Sequence, residues 1–515
     1  MKTSDGFQNA QLRRTKEDTK SSAGRTDFGN KFLLRGAVLA IAVTYLVSLS
    51  PGHVFVNDDF AAYIMHASNL VEGRPYTTLH YIANPQALWL APTNGYPPVY
   101  PLLLAPAYKL WWPSLKALKG VTVMCFVVCL FILVELLRPV MSPPMIICTL
   151  LILGCNPIFW EYRDYLLSEF PYLMFSFAAL LVIQSTYETL APNEFRIGRA
   201  LLLAVLLYCA YGTRTIGIVL IPALALADLW KFKRPSRFLL TTIGATAVFI
   251  AVQTLFLTSP TGYISAVHVS PRLIATNTLF YCKTLSYVWQ NGFSKKLQII
   301  FALAFTALAG AGFARKLWRE RSANEFYLLG YLAVLFAWSA EIGLRGLLPI
   351  LPLYFANGIQ EVERLTAPLG RWGRAGSVAL LLIVCGVAYG GRMREESRQA
   401  PEPNVQDPAA QELFSFLRTH TEPSEAIVFP KPRSLALFTN RSVASFAPDE
   451  LPEASLQFMK NIQARVIVKT NWSPPSWEEF MKAEEDRATE VFRNSEYQVF
   501  RIRLAEDSSA TAGGG

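Results

Sequence analysis

Residues 56–76, VNDDFAAYIMHASNLVEGRPY, follow the first long apolar run of the chain and set the interpretation of everything after them. Two adjacent carboxylates, Asp58 and Asp59, stand at the edge of a membrane-spanning segment, where charge is rare and usually has a function. The residue pattern from 60 to 70 predicts a short helix that ends at Gly73.

The acids have a structural interpretation as well as a chemical one. Asn57, Asp58 and Asp59 are typical of a helix N-cap, where a side-chain oxygen accepts a hydrogen bond from an unpaired backbone N–H. This stretch alone favours the cap. A cap needs only one acid, so the purpose of the second depends on the rest of the chain.

Composition indicates a membrane protein. The chain has 515 residues, 52% of them hydrophobic, and a mean hydropathy of +0.28. The net charge of +10 belongs to the membrane part, because residues 392–515 hold 15 basic against 19 acidic residues. This distribution fits the positive-inside rule and argues against nucleic-acid binding. The seven cysteines and five histidines form no recognisable ligand pattern, so we expect no disulfide, no metal and no cofactor.

Apolar runs of spanning length recur between residues 33 and 391, and they predict about eleven transmembrane helices. A polar tail, 1–32, is expected to be disordered and cytoplasmic. The predicted spans are 33–50, 118–137, 143–159, 169–187, 198–213, 216–230, 238–257, 297–314, 323–340, 347–360 and 375–391.

The Pro-rich segment 97–112 is ambiguous, because it is apolar but short and interrupted by prolines. If it does not cross, every strongly basic short loop, such as 231–237 and 315–321, lies in the cytoplasm. If it crosses, those loops all move outside. The positive-inside rule therefore predicts that 97–112 is a juxtamembrane helix on the exoplasmic side, together with the two acids.

The C-terminal part predicts a small exoplasmic α/β domain at 407–505, joined by a linker at 392–406 and followed by a disordered tail at 506–515. Its alternating patterns predict two helices and four strands. The helices are predicted at 407–420 and 476–487, and the strands at 426–430, 435–439, 464–470 and 497–504.

The same topology places further polar clusters on the exoplasmic side: EYRDYLLSEF (161–170), GTRTIG (212–217), the loop 258–296 and EIGLRGLLPILP (341–352). Acids can accept a proton from a nucleophile, and cations there can hold a lipid phosphate. Each cluster also has an ordinary interpretation as an ion pair, a helix cap or a snorkelling side chain. The candidates for substrate contacts are Arg163, Asp164, Arg214, Lys295, Lys296 and Arg345.

The order of these motifs resembles the GT-C superfamily of polyprenyl-phosphate-dependent glycosyltransferases over residues 33–360, near the aminoarabinose transferases and protein O-mannosyltransferases. The resemblance rests on an acid in the first exoplasmic loop, a Pro-rich segment, a second acid and two arginine motifs. A Gly follows the late arginine, where relatives often have an aromatic residue. The matching residues are Asp59, Tyr63, Ala67, Leu70, Gly73, Tyr96, Pro97, Pro98, Tyr100, Pro101, Ser168, Glu169, Pro171, Arg214, Gly217, Arg345, Pro349 and Pro352.

The resemblance implies an inverting glycosyltransferase at the periplasmic face of a bacterial inner membrane. It implies a polyprenyl-phosphate sugar donor, a lipid or glycan acceptor, and a base at Asp59, with Asp58 as the alternative. Glu169 would orient the acceptor or the base, and Tyr63 and Tyr96 would shape the sugar pocket. Arg214, Arg345 and Lys295 or Lys296 would bind the lipid phosphate.

Two other classes remain open on sequence grounds. A transporter or flippase for a lipid-linked glycan would have charges in mid-span and an internal repeat. Neither is evident, because the charges lie at span ends. A non-catalytic envelope scaffold would tolerate replacement of Asp59.

Overall fold

The architecture was obtained as a computed structural model of the full chain. The described residues are 30–55, 58–86, 95–189, 195–256, 267–290, 294–399, 401–447 and 449–504. The predicted tail at 506–515 lies outside them, as do residues 1–29 of the predicted N-terminal tail. Helix α1 begins at Asn30, inside that predicted tail.

Within the described residues, seven helical segments are long and apolar enough to cross a membrane, and three shorter apolar helices accompany them. The helices of this part are α1 (Asn30–Val47), α2 (Asp59–Glu72), α3 (Val99–Trp111), α4 (Leu115–Leu137), α5 (Pro143–Gly154), α6 (Pro157–Tyr162), α7 (Glu169–Thr189), α8 (Ile197–Thr213), α9 (Leu220–Phe232), α10 (Arg237–Phe256), α11 (Pro271–Ser286), α12 (Lys295–Arg319), α13 (Ala323–Phe336), α14 (Leu344–Leu347), α15 (Leu351–Thr366) and α16 (Gly370–Glu396). The predicted polytopic helical architecture is confirmed.

The last of the seven segments, Leu344–Glu396, contains α14, α15 and α16, and a sharp turn separates α15 from α16. Gly370 has a φ of 63° at this turn, a left-handed value that suits glycine. The hydroxyl oxygens of Thr366 and Ser377 lie 3.5 Å apart, whereas eleven residues of continuous helix would separate them by about 16 Å. Helices α15 and α16 therefore double back, as two of the predicted spans require.

Helix α3 covers most of the ambiguous segment 97–112. Its 13 residues extend about 20 Å, which is short of the roughly 30 Å hydrocarbon core of a bilayer. It packs beside α2, with which it shares a buried cluster that includes Phe60 and Leu104. This arrangement fits a juxtamembrane helix rather than a span.

The C-terminal domain has a five-stranded sheet in the order β2-β1-β3-β5-β4. Strands β2, β1 and β3 are parallel, and β5 pairs antiparallel with both β3 and β4. Its elements are α17 (Pro408–His420), β1 (Ile427–Val428), α18 (Pro432–Thr439), β2 (Val443–Ala444), α19 (Pro452–Asn461), β3 (Val466–Thr470), α20 (Pro475–Ala483), β4 (Ala488–Arg493) and β5 (Tyr497–Ile502).

The predicted strand at 435–439 was wrong, because these residues belong to α18. Pro432 occupies the first helical position, where its fixed φ and missing N–H are favourable. Asn440 ends the helix in a left-handed conformation. The prediction also missed α19, β2 and β4, and α16 continues to Glu396, into the predicted linker 392–406.

The C-terminal domain is attached to the segment around α2 by backbone pairing on two sides. On one side, Val405 N–H donates to His53 O at 2.9 Å. On the other, Ile82 N–H donates to Val443 O at 2.9 Å, so residues 80–82 extend the sheet beside β2. One hydrophobic cluster runs through both parts, joining Phe60 of α2 to Phe414 of α17.

Close packing of α12 on α15 gives a test of the membrane bundle. A Cβ on Gly312 would lie 2.5 Å from the carbonyl oxygen of Asn357, whereas one on Gly310 would meet open space. Small residues allow such close backbone approach between membrane helices. We expect Gly312→Ala to cost about 1–3 kcal/mol through overpacking.

The matched control is Gly310→Ala in the same helix, which we expect to be neutral or slightly stabilising. The measurement is the thermal unfolding midpoint of both variants in detergent. Equal midpoints for the two variants would contradict this packing.

Candidate active site

A cavity of about 180 Å³ opens at the end of the bundle that carries the C-terminal domain. It lies between α2, the start of α3, the α8–α9 turn, α13 and the turn before α14. Polar groups from five separate stretches of sequence line it. They are Asp59, Tyr63, Tyr96, Ser168, Arg214 and Arg345.

Asp58 does cap a helix, but not the predicted one. It makes no side-chain capping bond to α2, so the cap interpretation was wrong for this residue, and Asn57 lies outside the described residues. Its carboxylate instead accepts from the backbone N–H groups of Arg433 at 3.0 Å and Ser434 at 2.6 Å. The Ser434 hydroxyl donates to it as well, at 2.5 Å. Asp58 thus stabilises the first turn of α18 in the C-terminal domain.

Asp59, the first residue of α2, has both carboxylate oxygens occupied. Oδ1 accepts from the Tyr96 hydroxyl at 2.5 Å and from Arg433 Nη1 at 3.0 Å. Oδ2 accepts from Arg345 Nη1 at 2.6 Å. The side chain is 20% exposed, so its ion pairs lie at the border between protein and solvent.

Glu169, at the start of α7, connects two arginines. Its Oε1 accepts from Arg345 Nε and from Arg214 Nη1. Its side chain is only 1% exposed, and it does not line the cavity. Arg345 therefore bridges Asp59 and Glu169, and the three contacts join α2, α7, α14 and the α8–α9 turn into one ionic cluster.

The neighbours of Asp59 decide its charge. Burial alone would raise the pKa of this carboxyl, but Arg345, Arg433 and the Tyr96 hydroxyl outweigh that effect and hold the pKa well below its ordinary value. Asp59 is therefore ionised at neutral pH.

Tyr96 is itself fixed by its surroundings. Its backbone N–H donates to His66 Nε2 at 3.3 Å, and its carbonyl oxygen accepts from the Tyr76 hydroxyl at 2.7 Å. The Tyr63 ring centroid is 4.8 Å from that of Tyr96, and the Tyr63 hydroxyl donates to Ser168 Oγ at 3.0 Å. Both predicted pocket tyrosines thus form a rigid wall of the cavity.

Gly346 follows Arg345, and another helix fills the space beside it. A Cβ at Gly346 would lie 2.9 Å from Leu335 Cδ1 and 3.3 Å from the hydroxyl oxygen of Tyr281 in α11. The carbonyl oxygen of Gly346 accepts from the Tyr331 hydroxyl at 2.9 Å. The Tyr281 ring, from a different part of the chain, therefore packs beside Gly346.

The structure does not bring all predicted residues to the cavity. Asp164 pairs with buried Lys119 at 3.1 Å and accepts from Ser50. Arg163 donates to Ser48 and covers the Trp160 ring at 3.8 Å. Both belong to a separate cluster that fixes the end of α1.

Lys295 and Lys296 are exposed at the start of α12 and are not among the residues that line the cavity. Within the described residues, no group of three or more His, Cys, Asp or Glu side chains has a metal-binding arrangement.

Sequence reasoning missed Arg433, which contacts Asp59 from the C-terminal domain. No motif surrounds it, and it lies 374 residues from its partner. The available signal was indirect: two adjacent acids need compensating cations, and the KPRS stretch at residues 431–434 of the C-terminal domain offers one.

No family model and no curated protein matches the sequence. Solved structures do match the fold. ArnT from Cupriavidus metallidurans, bound to undecaprenyl phosphate, aligns over 92% of this chain and 98% of its own, with a TM-score of 0.56 and 11% identity.

Two further neighbours have longer chains, and a smaller share of each aligns with this one. The oligosaccharyltransferase AglB from Archaeoglobus fulgidus, in complex with an inhibitory peptide and a dolichol-phosphate, has a TM-score of 0.55 and 12% identity. It aligns over 85% of this chain and 69% of its own. The arabinofuranosyltransferase AftD from Mycobacteria aligns over 91% and 42%, with a TM-score of 0.53 and 14% identity. The chain therefore shares its fold with these three proteins, and this is the GT-C fold that the sequence resemblance implied.

Proposed function

We propose that this chain is an inverting glycosyltransferase that moves a sugar from a polyprenyl-phosphate donor to an acceptor hydroxyl. The observation that carries the proposal is a single cavity lined by Asp59, Arg214 and Arg345. A carboxylate can take the proton of an attacking hydroxyl, and guanidinium groups bind phosphate through paired N–H donors. The fold supports the donor class, since ArnT was solved with undecaprenyl phosphate and AglB with a dolichol-phosphate.

The two arginines have donors to spare for a phosphate. Their contacts within the described residues use Nη1 of Arg214, and Nη1 and Nε of Arg345. A guanidinium carries five N–H donors, so each keeps donors for an anion in the cavity. Binding the phosphate also weakens the hold of Arg345 on Asp59. The carboxylate then becomes more basic when the acceptor must lose its proton.

The transfer itself is one substitution. The acceptor oxygen forms a bond to the anomeric carbon while the bond from that carbon to the phosphate oxygen breaks. The electron pair leaves with the lipid phosphate, which Arg214 and Arg345 stabilise, and the proton passes to Asp59. Attack and departure on opposite faces invert the configuration.

The other residues take supporting roles. Glu169 is buried behind the arginines, so we assign it to holding them in position rather than to the acceptor. Tyr63 and Tyr96 form the wall against which the sugar packs. Arg163, Asp164, Lys295 and Lys296, which the sequence offered as substrate ligands, are left out of the proposed site.

The substrate chemistry sets the location. A polyprenyl tail stays in the bilayer, so a cavity at the end of the membrane bundle is where its phosphate can be reached. We place this end at the periplasmic face of a bacterial inner membrane, with the N-terminus in the cytoplasm. The acceptor would be a lipid or glycan of the cell envelope.

Asp59→Asn tests the base. The change keeps the shape of the side chain but removes its ability to accept the proton. We expect turnover to fall by about 10²–10⁴-fold while the donor still binds. The assay is transfer by the purified protein from a polyprenyl-phosphate sugar, with donor binding measured separately.

The matched control is Glu341→Gln, an equivalent change at an exposed acid near Arg345 that does not line the cavity. It should leave turnover unchanged. Full turnover in the Asp59→Asn variant would remove Asp59 as the base.

Arg345→Lys tests phosphate binding. A lysine keeps the charge that Asp59 and Glu169 need but loses the forked donor geometry. Losing a charged hydrogen bond costs about 1.5–3 kcal/mol, so the KM for the donor should rise roughly 10- to 150-fold. Steady-state kinetics at varied donor concentration measures this, with Lys296→Gln as an exposed control. An unchanged KM would mean that Arg345 is only structural.

Single cysteines in an otherwise cysteine-free version test the sidedness. The two substitutions are Lys116→Cys and Glu320→Cys. Position 116 is in the first turn of α4, beside α3 at the cavity end of the bundle, and position 320 is at the other end. We expect a membrane-impermeant thiol reagent to label only the cysteine at position 116 in intact inner-membrane vesicles of right-side-out orientation. The reverse pattern would place the cavity in the cytoplasm.

A further inference from the structure

The C-terminal domain reaches the candidate active site through its helix α18. Asp58, next to the proposed base, caps the first turn of α18 with three hydrogen bonds. The backbone pairings at residues 53–55 and 80–82 hold the domain on both sides of α2. The position of α18 relative to Asp59 is thus fixed from three directions.

Arg433, on the capped turn of α18, is directed at Asp59. Its side chain is 7% exposed, and its Nη1 lies 3.0 Å from Asp59 Oδ1. Its guanidinium carbon is 5.0 Å from the Tyr81 ring centroid and 5.6 Å from that of Tyr96. Two aromatic rings and one carboxylate therefore fix its orientation.

Arg433 is not among the residues that line the cavity, so it contacts the base without occupying the substrate space. It shares Asp59 Oδ1 with the Tyr96 hydroxyl, whereas Oδ2 accepts from Arg345. One oxygen is thus held from the side of the C-terminal domain, and the other is turned toward the arginine that lines the cavity.

We propose that Arg433 is a positioning residue for the transfer reaction, and that the C-terminal domain thereby completes the active site. The inference rests on the proposed function, in which Asp59 is the base. When a donor phosphate binds Arg345, the ion pair between Arg345 and Asp59 weakens. Arg433 stays in place, so the carboxylate keeps both its orientation and a counter-charge.

The test compares two changes at Arg433 in the full-length protein. Arg433→Gln removes the positive charge. Arg433→Lys keeps the charge but loses the planar, forked arrangement of N–H donors. We expect kcat to fall by about 10²-fold in both variants, because the base Asp59 is then misplaced. The acid limb of the kcat–pH profile should move to higher pH in Arg433→Gln alone, because an arginine beside a carboxylate favours its ionised form.

The matched control is Arg441→Lys. Arg441 is a buried arginine of the same domain that donates to the carbonyl oxygens of Arg418 and Thr421, both at 2.9 Å, away from Asp59. We expect its kcat and its acid limb to match those of the wild-type protein. Unfolding midpoints of all variants show whether any loss of activity follows from lost stability.

A wild-type kcat together with an unchanged acid limb in Arg433→Gln would overturn the inference. An equal fall in kcat in Arg433→Gln and in the control Arg441→Lys would overturn it as well. If Arg433→Gln does not fold, the kcat of Arg433→Lys decides, and a wild-type value there would also overturn it. Activity in Asp59→Asn would instead defeat the proposed function. An inactive Asp59→Asn beside a fully active Arg433→Gln would defeat only this inference.

Discussion

Buried charges have to be paired, and this requirement holds the functional end of the molecule together. Leaving one buried ion without its partner costs several kcal/mol. Arg345 meets the requirement for two acids at once, since it contacts Asp59 and Glu169, which lie 286 and 176 residues away in the chain. The ends of α2, α7 and α14 therefore have to meet at one point, whatever the apolar packing of the rest of the bundle.

The same ion pairs hold the arginines of the proposed site in fixed orientations. Three arginines (Arg214, Arg345 and Arg433) form ion pairs with two carboxylates (Asp59 and Glu169). In the proposed function, a phosphate would bind the remaining N–H donors of Arg214 and Arg345, which are already oriented by these contacts. Such preorganised groups need little rearrangement during the reaction, which is the main source of electrostatic catalysis.

Sequence patterns predicted the parts of the structure that depend on local chemistry. Apolar length predicted a polytopic helical bundle, and the described residues contain seven helical segments of spanning length. Three residues of the predicted motifs, Asp59, Arg214 and Arg345, line one cavity. Patterns failed where a distant contact decides the outcome. Asp58 looked like a cap for its own helix but caps α18 instead.

Other misses have the same physical origin. Arg163 and Asp164 carry the right charges for a substrate site. However, Asp164 forms an ion pair with Lys119, and no sequence pattern indicated that contact. Residues 435–439 look like a strand by composition, although Pro432 and Asn440 mark the two ends of a helix. Arg433 has no motif, since its role follows only from where the C-terminal domain is attached.

The backbone pairing between residues 53–55 and 403–405 has a consequence for biosynthesis. His53 and its partner Asn404 are 351 residues apart, so the ribosome makes the early loop long before the segment that completes it. At about 5–20 residues per second, that interval is roughly 20–70 s. During this time Phe55 and Phe60 lack the apolar side chains of α17 that later cover them. The first loop therefore exposes apolar side chains throughout this interval.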